Sequence, residues 1–265
     1  MSLKILPKKK NTAAEIVCNL SKINKTDLTN IKKALNEFGM VYFRKQNLSS
    51  KQYLSFAKKI GKPALYPRLK GLNKNFPEIT VVERKKKDKG PSFGEQFHTD
   101  SSYTKKPPTF TMLYSKLVPK KGLANTEFSS QYLAYENLPN KFKSQINKLR
   151  GTFSSKGPIA ITTVERVKEK GKLNKELRAN HKLVRTIGKK KSIYFSAGHF
   201  IGFSSHHNRK LNELEKYLKK HQIKKKFQFS LEWEKNQLAI WDNRSMLHQA
   251  TPFNGNRIMH RITIK

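Results

Sequence analysis

Cysteine is almost absent from this chain. Cys18 is the single one in 265 residues, which excludes an intramolecular disulfide framework and any thiolate-rich zinc or iron–sulfur site. A metal held here must draw on His, Asp or Glu. Long apolar runs are missing as well. The opening Met1-Ser2-Leu3-Lys4-Ile5-Leu6-Pro7 leads straight into Lys8-Lys9-Lys10, so nothing reads as a signal peptide or membrane span. The expectation is a soluble, cytoplasmic protein with no membrane partner. Acidic residues are few, 18 Asp and Glu against 56 Lys and Arg, which leaves a formal net charge of +38.

Such a charge suggests a polyanionic partner held through phosphate contacts. Its make-up argues otherwise. The basic residues divide into 45 Lys and 11 Arg and run from Lys4 to Lys265, whereas groove readers favour Arg for bidentate contacts. Lysine this diffuse reads as compositional bias, and nucleic acid is not the expected partner. A sizeable core is nevertheless affordable, since 36% of residues are hydrophobic and 10% aromatic. The length suits one β-rich barrel or sandwich, so a single domain over residues 1–265 is expected. A homo-oligomer stays open.

Residues 27–39 place Leu28, Ile31, Leu35 and Phe38 on one helical face, with Asp27 able to cap the start and Gly39 the end. Met40-Val41-Tyr42-Phe43 follows as a strand. A second helix, capped by Ser49 or Ser50, runs through Tyr53 and stops at Gly61. Residues 79–82, 109–118, 193–195, 227–233, 237–241 and 257–264 read as strands, residues 131–149 as helix interrupted at Pro139, and residues 211–220 as a basic helix. The Lys-rich residues 85–91 are expected to be a mobile surface loop, and the polar residues 156–175 a partly ordered lid. Short strands in the second half and helices at the start indicate a mainly β fold with flanking helices.

The chemistry centres on Phe97-His98-Thr99-Asp100. Side chains two apart on a strand share a face, so His98 and Asp100 would converge. One imidazole and one carboxylate are two corners of the facial triad of non-haem iron(II) oxygenases, which leaves three metal positions open. The third ligand must be a distant histidine. His248 fits, 150 residues on (248 − 98), just past the apolar strand Leu238-Ala239-Ile240-Trp241 and its Asp242-Asn243 turn. Farther along, Arg257-Ile258-Met259-His260-Arg261 alternates so that both arginines face one way. Two inward arginines need anions, and 2-oxoglutarate supplies one through its far carboxylate.

These segments resemble the taurine dioxygenase-like family of Fe(II)- and 2-oxoglutarate-dependent dioxygenases, which includes the chlorophenoxyacetate-degrading enzymes. The resemblance covers most of the chain. It is strongest over residues 97–103, from Gly122 to Phe128 with its Asn125-Thr126-Glu127-Phe128, at Leu183-Val184-Arg185-Thr186, and from Trp241-Asp242-Asn243-Arg244 to His248. It implies a double-stranded β-helix of the jelly-roll type with the site in its mouth. His98, Asp100 and His248 are by that resemblance the iron ligands, Thr126 and Arg257 hold the far carboxylate of 2-oxoglutarate, and Arg261 meets an anionic substrate. Tyr66 is kept in the family's substrate pocket, whereas Pro63 and Gly94 stand where a His and an Asn are expected, so taurine itself is not implied.

Other residues have bland readings beside the functional one. His199 is a candidate for lining the substrate cavity, the alternative being a satisfied structural histidine. Trp241 is expected in the core, Asn243-Arg244 as a turn with a structural ion pair, and His206-His207 as a surface pair. The implied reaction joins O2, 2-oxoglutarate and a small, anionic organic substrate, releasing succinate and CO2. A nucleic-acid demethylase with the same iron chemistry, or a non-catalytic cupin-like binding protein, are the alternatives.

Overall fold

The protein is described by a computed structural model over residues 3–9, 12–66, 69–162, 175–204 and 209–265. Its strands are β1 (Lys4–Lys8), β2 (Ala13–Val17), β3 (Met40–Phe43), β4 (Pro63–Ala64), β5 (Thr80–Arg84), β6 (Phe110–Leu117), β7 (Thr126–Ser130), β8 (Arg150–Ser154), β9 (Arg178–Lys182), β10 (Val184–Ile187), β11 (Lys190–Ile193), β12 (Phe200–Phe203), β13 (Gln228–Leu231), β14 (Leu238–Asp242), β15 (Met246–Ala250) and β16 (Arg257–Ile264). The helices are α1 (Lys25–Phe38), α2 (Ser50–Ile60), α3 (Gln131–Glu136), α4 (Asn140–Ile146) and α5 (Arg209–His221).

A large sheet runs β1-β2-β3-β14-β6-β16-β4, with β5 paired to β16, and a smaller one runs β13-β7-β15. Alternation along the large sheet shows what each face meets. Val41, Phe43, Met112, Tyr114, Leu238, Ile240, Ile262 and Ile264 pack with Ile31, Leu35, Tyr53 and Phe56 of α1 and α2. Their neighbours Met40, Tyr42, Leu113, Ala239, Trp241 and Met259 pack with Phe128, Leu231 and Met246 of the smaller sheet. With both faces covered, β3 and β14 are buried throughout, and Met40–Phe43 and residues 238–241 read as unbroken apolar runs. The mainly β jelly roll with flanking helices is thus the observed fold, and the space between its sheets holds the candidate site.

Several local expectations shift. Asn24, not Asp27, caps α1; the two side chains exchange hydrogen bonds with each other's backbone N–H, which makes Asp27 the inner member of a capping box. Gly39 ends α1 at φ 74°, where a Cβ would lie 2.7 Å from Met246 Sδ. The strand expected at 193–195 ends at Ile193, because the chain turns away to carry Ser196 and His199 beneath His98. Residues 85–90 form a tied turn where a mobile loop was expected. Arg84 Nη2 donates to the Asp88 and Gly90 carbonyls, Lys85 N to Asp88 Oδ2, and Lys86 N to Asn256 Oδ1. His206-His207 and residues 163–174 of the expected lid lie outside the described residues. No helix among the described residues is long and apolar enough to cross a membrane.

Candidate active site

The segment expected as a strand around His98 is a single bridge. His98 N donates to the His248 carbonyl at 3.0 Å, and His248 N returns the bond to the His98 carbonyl at 2.9 Å. That pair fixes two histidines distant in sequence side by side, with ring centroids 4.3 Å apart. Asp100 opens the following turn, whose next residue, Ser101, sits at φ 47°, a conformation unusual without glycine. The convergence deduced from a strand is therefore produced by a bridge and a turn. Asp100 Oδ1 lies 3.8 Å from His98 Nε2 and 3.9 Å from His248 Nε2. One ligand atom from each of the three residues falls within 4.8 Å of the others, and all three side chains are buried.

Protonation suits this trio for a cation. Burial holds both imidazoles below their ordinary pKa, His248 especially, where His98 adds to the effect. His98 Nδ1 lies 2.7 Å from the Gln96 carbonyl, an acceptor only, so the proton sits on Nδ1 and the Nε2 lone pair faces Asp100. Burial is the largest single effect and would raise the Asp100 carboxyl, but Arg261, the two imidazoles and the Thr111 hydroxyl together outweigh it and hold it well below the usual range. Two neutral imidazoles and one carboxylate, with no thiolate, form the donor set that suits iron(II) in a site with open positions. Gly94 closes one wall at φ +82°; a Cβ there would meet His98 Cε1 at 3.1 Å.

The cavity holding these atoms encloses about 470 Å³, its open mouth included, and is lined also by Thr126, Trp241, Arg257 and Arg261. Arg257 and Arg261 do face the same way, as the alternation on β16 required, with Met259 between them. Their surroundings differ. Arg261 Nη2 lies 2.8 Å from Asp100 Oδ1, and its guanidinium stacks on the Tyr66 ring at 4.3 Å. Asp100 is thus the partner that the sequence around Arg261 did not offer. Neither Nη1 nor Nη2 of Arg261 makes an aligned hydrogen bond among the described residues, so the contact with Asp100 is an ion pair and Nη1 has no partner. Arg257 is 7% exposed; its side chain makes no hydrogen bond or ion pair among the described residues and is flanked by the Trp233 and Phe253 rings, each 5.8 Å away. Burial lowers its pKa to about 10. Thr126 opens β7, and its hydroxyl accepts a 2.9 Å hydrogen bond from Trp233 Nε1.

His199 does not line the cavity. It is buried behind His98, edge-on to that ring at 6.0 Å and to Tyr103 at 5.0 Å, with Nδ1 2.9 Å from Ser102 Oγ. Trp241, expected only in the core, also lines the cavity and packs on His248 at 4.6 Å. Arg244 forms the expected ion pair with Asp242 at 2.6 Å. Sequence reasoning missed Thr111, whose hydroxyl donates to Asp100 Oδ2 at 2.5 Å, and Trp233. Nothing in the pattern of β6 marks Thr111. Trp233 stands out only as one of two tryptophans.

The family model described as "Taurine catabolism dioxygenase TauD, TfdA family" matches residues 5–263. An alpha-ketoglutarate-dependent 2,4-dichlorophenoxyacetate dioxygenase of Cupriavidus pinatubonensis is 26% identical over 86% of this chain and 84% of its own length. An alkylsulfatase of Acinetobacter baylyi is 26% identical over 92% and 78%. The crystal structure of a taurine dioxygenase from Burkholderia xenovorans superposes with a TM-score of 0.82 at 24% identity, covering 100% of this chain and 89% of that one.

Proposed function

Because the chain belongs to the TauD, TfdA family of dioxygenases, we propose that it oxidises a small organic anion with O2 and 2-oxoglutarate, using Fe(II) held by His98, Asp100 and His248. One oxygen atom enters the substrate C–H bond and the other enters succinate, with CO2 released. An iron(II) ion held by these three residues would let O2 react with both organic partners, the four electrons that reduce it coming from the decarboxylation of 2-oxoglutarate and from the substrate C–H bond. The chain's part is positional. The imidazoles and carboxylate offer one face of ligands, Arg257 and the Thr126 hydroxyl hold the far carboxylate of 2-oxoglutarate, and Arg261 meets the substrate anion through its unused Nη1. The walls at Leu113, Trp241 and Met259 keep bulk water from the reacting atoms.

The observation that carries this reading is the charge inventory of the cavity: two buried guanidiniums, Arg257 and Arg261, against the single carboxylate of Asp100. A ferrous ion and a 2-oxoglutarate dianion cancel each other. One positive charge is left over, and a buried unmatched charge is costly. A monoanionic substrate closes the balance, and Arg261, next to the metal ligand Asp100, is where it belongs. The relatives named above for 2,4-dichlorophenoxyacetate and alkyl sulfates act on anions of this charge, which supports the same class here. Neither His199 nor the exposed lysines are needed for it.

The test is succinate release and O2 uptake over a panel of carboxylates, sulfonates and sulfate esters, set beside neutral and cationic analogues, in the wild type and in Arg261→Ala. Stimulation by anions that is lost in Arg261→Ala is the expected result. A neutral or cationic compound as best substrate, indifferent to Arg261→Ala, refutes the anion anchor while leaving the dioxygenase. No 2-oxoglutarate turnover under any condition refutes the reaction.

A further inference from the structure

We infer that Thr111 and Asn243 form a one-way hydrogen-bond relay, anchored by Trp241, that fixes which oxygen of Asp100 faces the metal. They are positioning residues, and the inference rests on Asp100 being a ligand. The direction of every bond follows from donor chemistry. The Trp241 indole N–H can only donate, and it lies 3.1 Å from Asn243 Oδ1. This contact sets the orientation of an amide whose two ends are otherwise interchangeable. Asn243 Nδ2 must then be the end 2.9 Å from Thr111 Oγ1, and it donates there. With a lone pair so engaged, the single Thr111 proton goes to Asp100 Oδ2 at 2.5 Å.

Position in the fold explains why these residues meet. Thr111 on β6 pairs directly with Trp241 on β14, and Asn243 follows two residues later in the turn. Thr99 Oγ1 pins that turn by donating to the Asn243 carbonyl at 2.6 Å. Thr99, Thr111, Trp241 and Asn243 are each 2% exposed or less, so no bulk water competes for these bonds. The carboxylate needs such a constraint, because the terminal torsion of Asp is broad and nearly two-fold. Arg261 supplies only half of it, since it contacts Oδ1, the same oxygen that lies nearest both imidazoles, and leaves Oδ2 unheld. Among the described residues only the relay engages Oδ2, and it leaves Oδ1 toward the ion.

Titration of the metal-free protein with Mn(II), followed by the free-ion electron paramagnetic resonance signal, tests this without turnover. Thr111→Val keeps the shape and removes the donor, and we expect the Mn(II) Kd to rise by about 10- to 100-fold, the usual scale for a group behind a ligand. Thr111→Ser should restore it, which a purely structural role of the threonine methyl would not do. Asn243→Leu should weaken binding less, and should add nothing in the Thr111→Val background, because both changes break one chain. Wild-type affinity in Thr111→Val, or additive losses in the double variant, overturns the relay. If Thr111→Val does not fold, Asn243→Leu decides alone, and wild-type affinity there overturns it. Asp100→Asn separates the two levels. Unchanged Mn(II) binding in that variant sinks the ligand assignment itself, whereas a loss there with none in the threonine and asparagine variants sinks only the relay.

Discussion

Neutralising Asp100 should damage the metal-free protein before any chemistry is considered. Arg261 is 3% exposed and 2.8 Å from Asp100 Oδ1. At an effective dielectric of about 20 the gross attraction is about 6 kcal/mol, most of which only offsets the cost of taking both charges out of water. Removing one partner exposes that cost, and breaking a buried pair typically loses about 3–5 kcal/mol. In Asp100→Asn the loss is sharpened, since the new amide offers a donor or a neutral oxygen where the guanidinium had a carboxylate. Against a total stability of roughly 5–15 kcal/mol, that is a large fraction. Arg261→Met should cost less, because a stranded carboxyl can take up a proton, and Thr111 still donates to it. In Asp100→Asn/Arg261→Met both charges are gone and much of the loss should return.

Urea unfolding in the presence of a chelator measures this cycle. With a slope of up to about 3 kcal/mol per molar urea, a loss of 3 kcal/mol moves the midpoint down by about 1 M. The double variant should recover at least half of that shift. A wild-type midpoint in Asp100→Asn, or strictly additive shifts, would show that Arg261 keeps its solvation without Asp100 and would refute the reasoning. The result also bears on how inactive Asp100 variants are read, because part of any activity loss would be a folding loss.

Arg257 should behave in the opposite way: its lowered pKa, from 12.5 to about 10, corresponds to a burial cost on the order of 3 kcal/mol, so Arg257→Met should match or exceed the wild type in ligand-free thermal stability. The same variant should raise the KM for 2-oxoglutarate by about 30-fold or more, the scale of a lost buried charge pair; a wild-type KM would remove Arg257 from the cosubstrate site. Trp233→Phe keeps the ring beside Arg257 and removes the N–H that binds Thr126, so it should raise that KM by up to about tenfold with little change in kcat, and a selective fall in kcat would speak against it. Acid should weaken the metal-free protein. His98 and His248 are held below 6.5 by burial, so the unfolded chain binds more protons, and stability is full above about pH 6.5 and falls below it. Each histidine adds up to about 1.4 kcal/mol per pH unit to that slope, and equal urea midpoints at pH 7.5 and 5.5 would contradict the shifts.

The helical flank of the fold was legible because its signals are local. Gly39 and Ser49 end and begin helices where their types demand it, and Leu28, Ile31, Leu35 and Phe38 mark a face by spacing alone. In the smaller sheet β13 falls within the strand expected at residues 227–233, but β7 and β15 were not legible. Thr126–Ser130 on β7 has a buried pattern broken only by half-buried Glu127, yet its Ser and Thr residues carry no apolar alternation. Its burial comes from pairing with β13 and β15, partners about one hundred residues away. The same holds for β1 and β2, where a basic opening concealed an edge hairpin paired from Lys4 to Val17.

The site divides along a similar line, and the division has a chemical cause. His98, Asp100, His248, Arg257 and Arg261 are residue types that a core rarely holds uncompensated, so their spacing carries information whether or not the segment is a regular strand. Threonine, asparagine and tryptophan are ordinary in cores, and what distinguishes Thr111, Asn243 and Trp233 is the atom each one faces across the sheet. Spacing along one strand put two arginines on one face but could not show that Asp100 would reach across to one of them and leave the other alone. That asymmetry supports the two roles proposed above. Arg261, already paired, can share its second nitrogen with a substrate that comes and goes, whereas Arg257, with no protein carboxylate among the described residues, is suited to a cosubstrate that must bring its own negative charge.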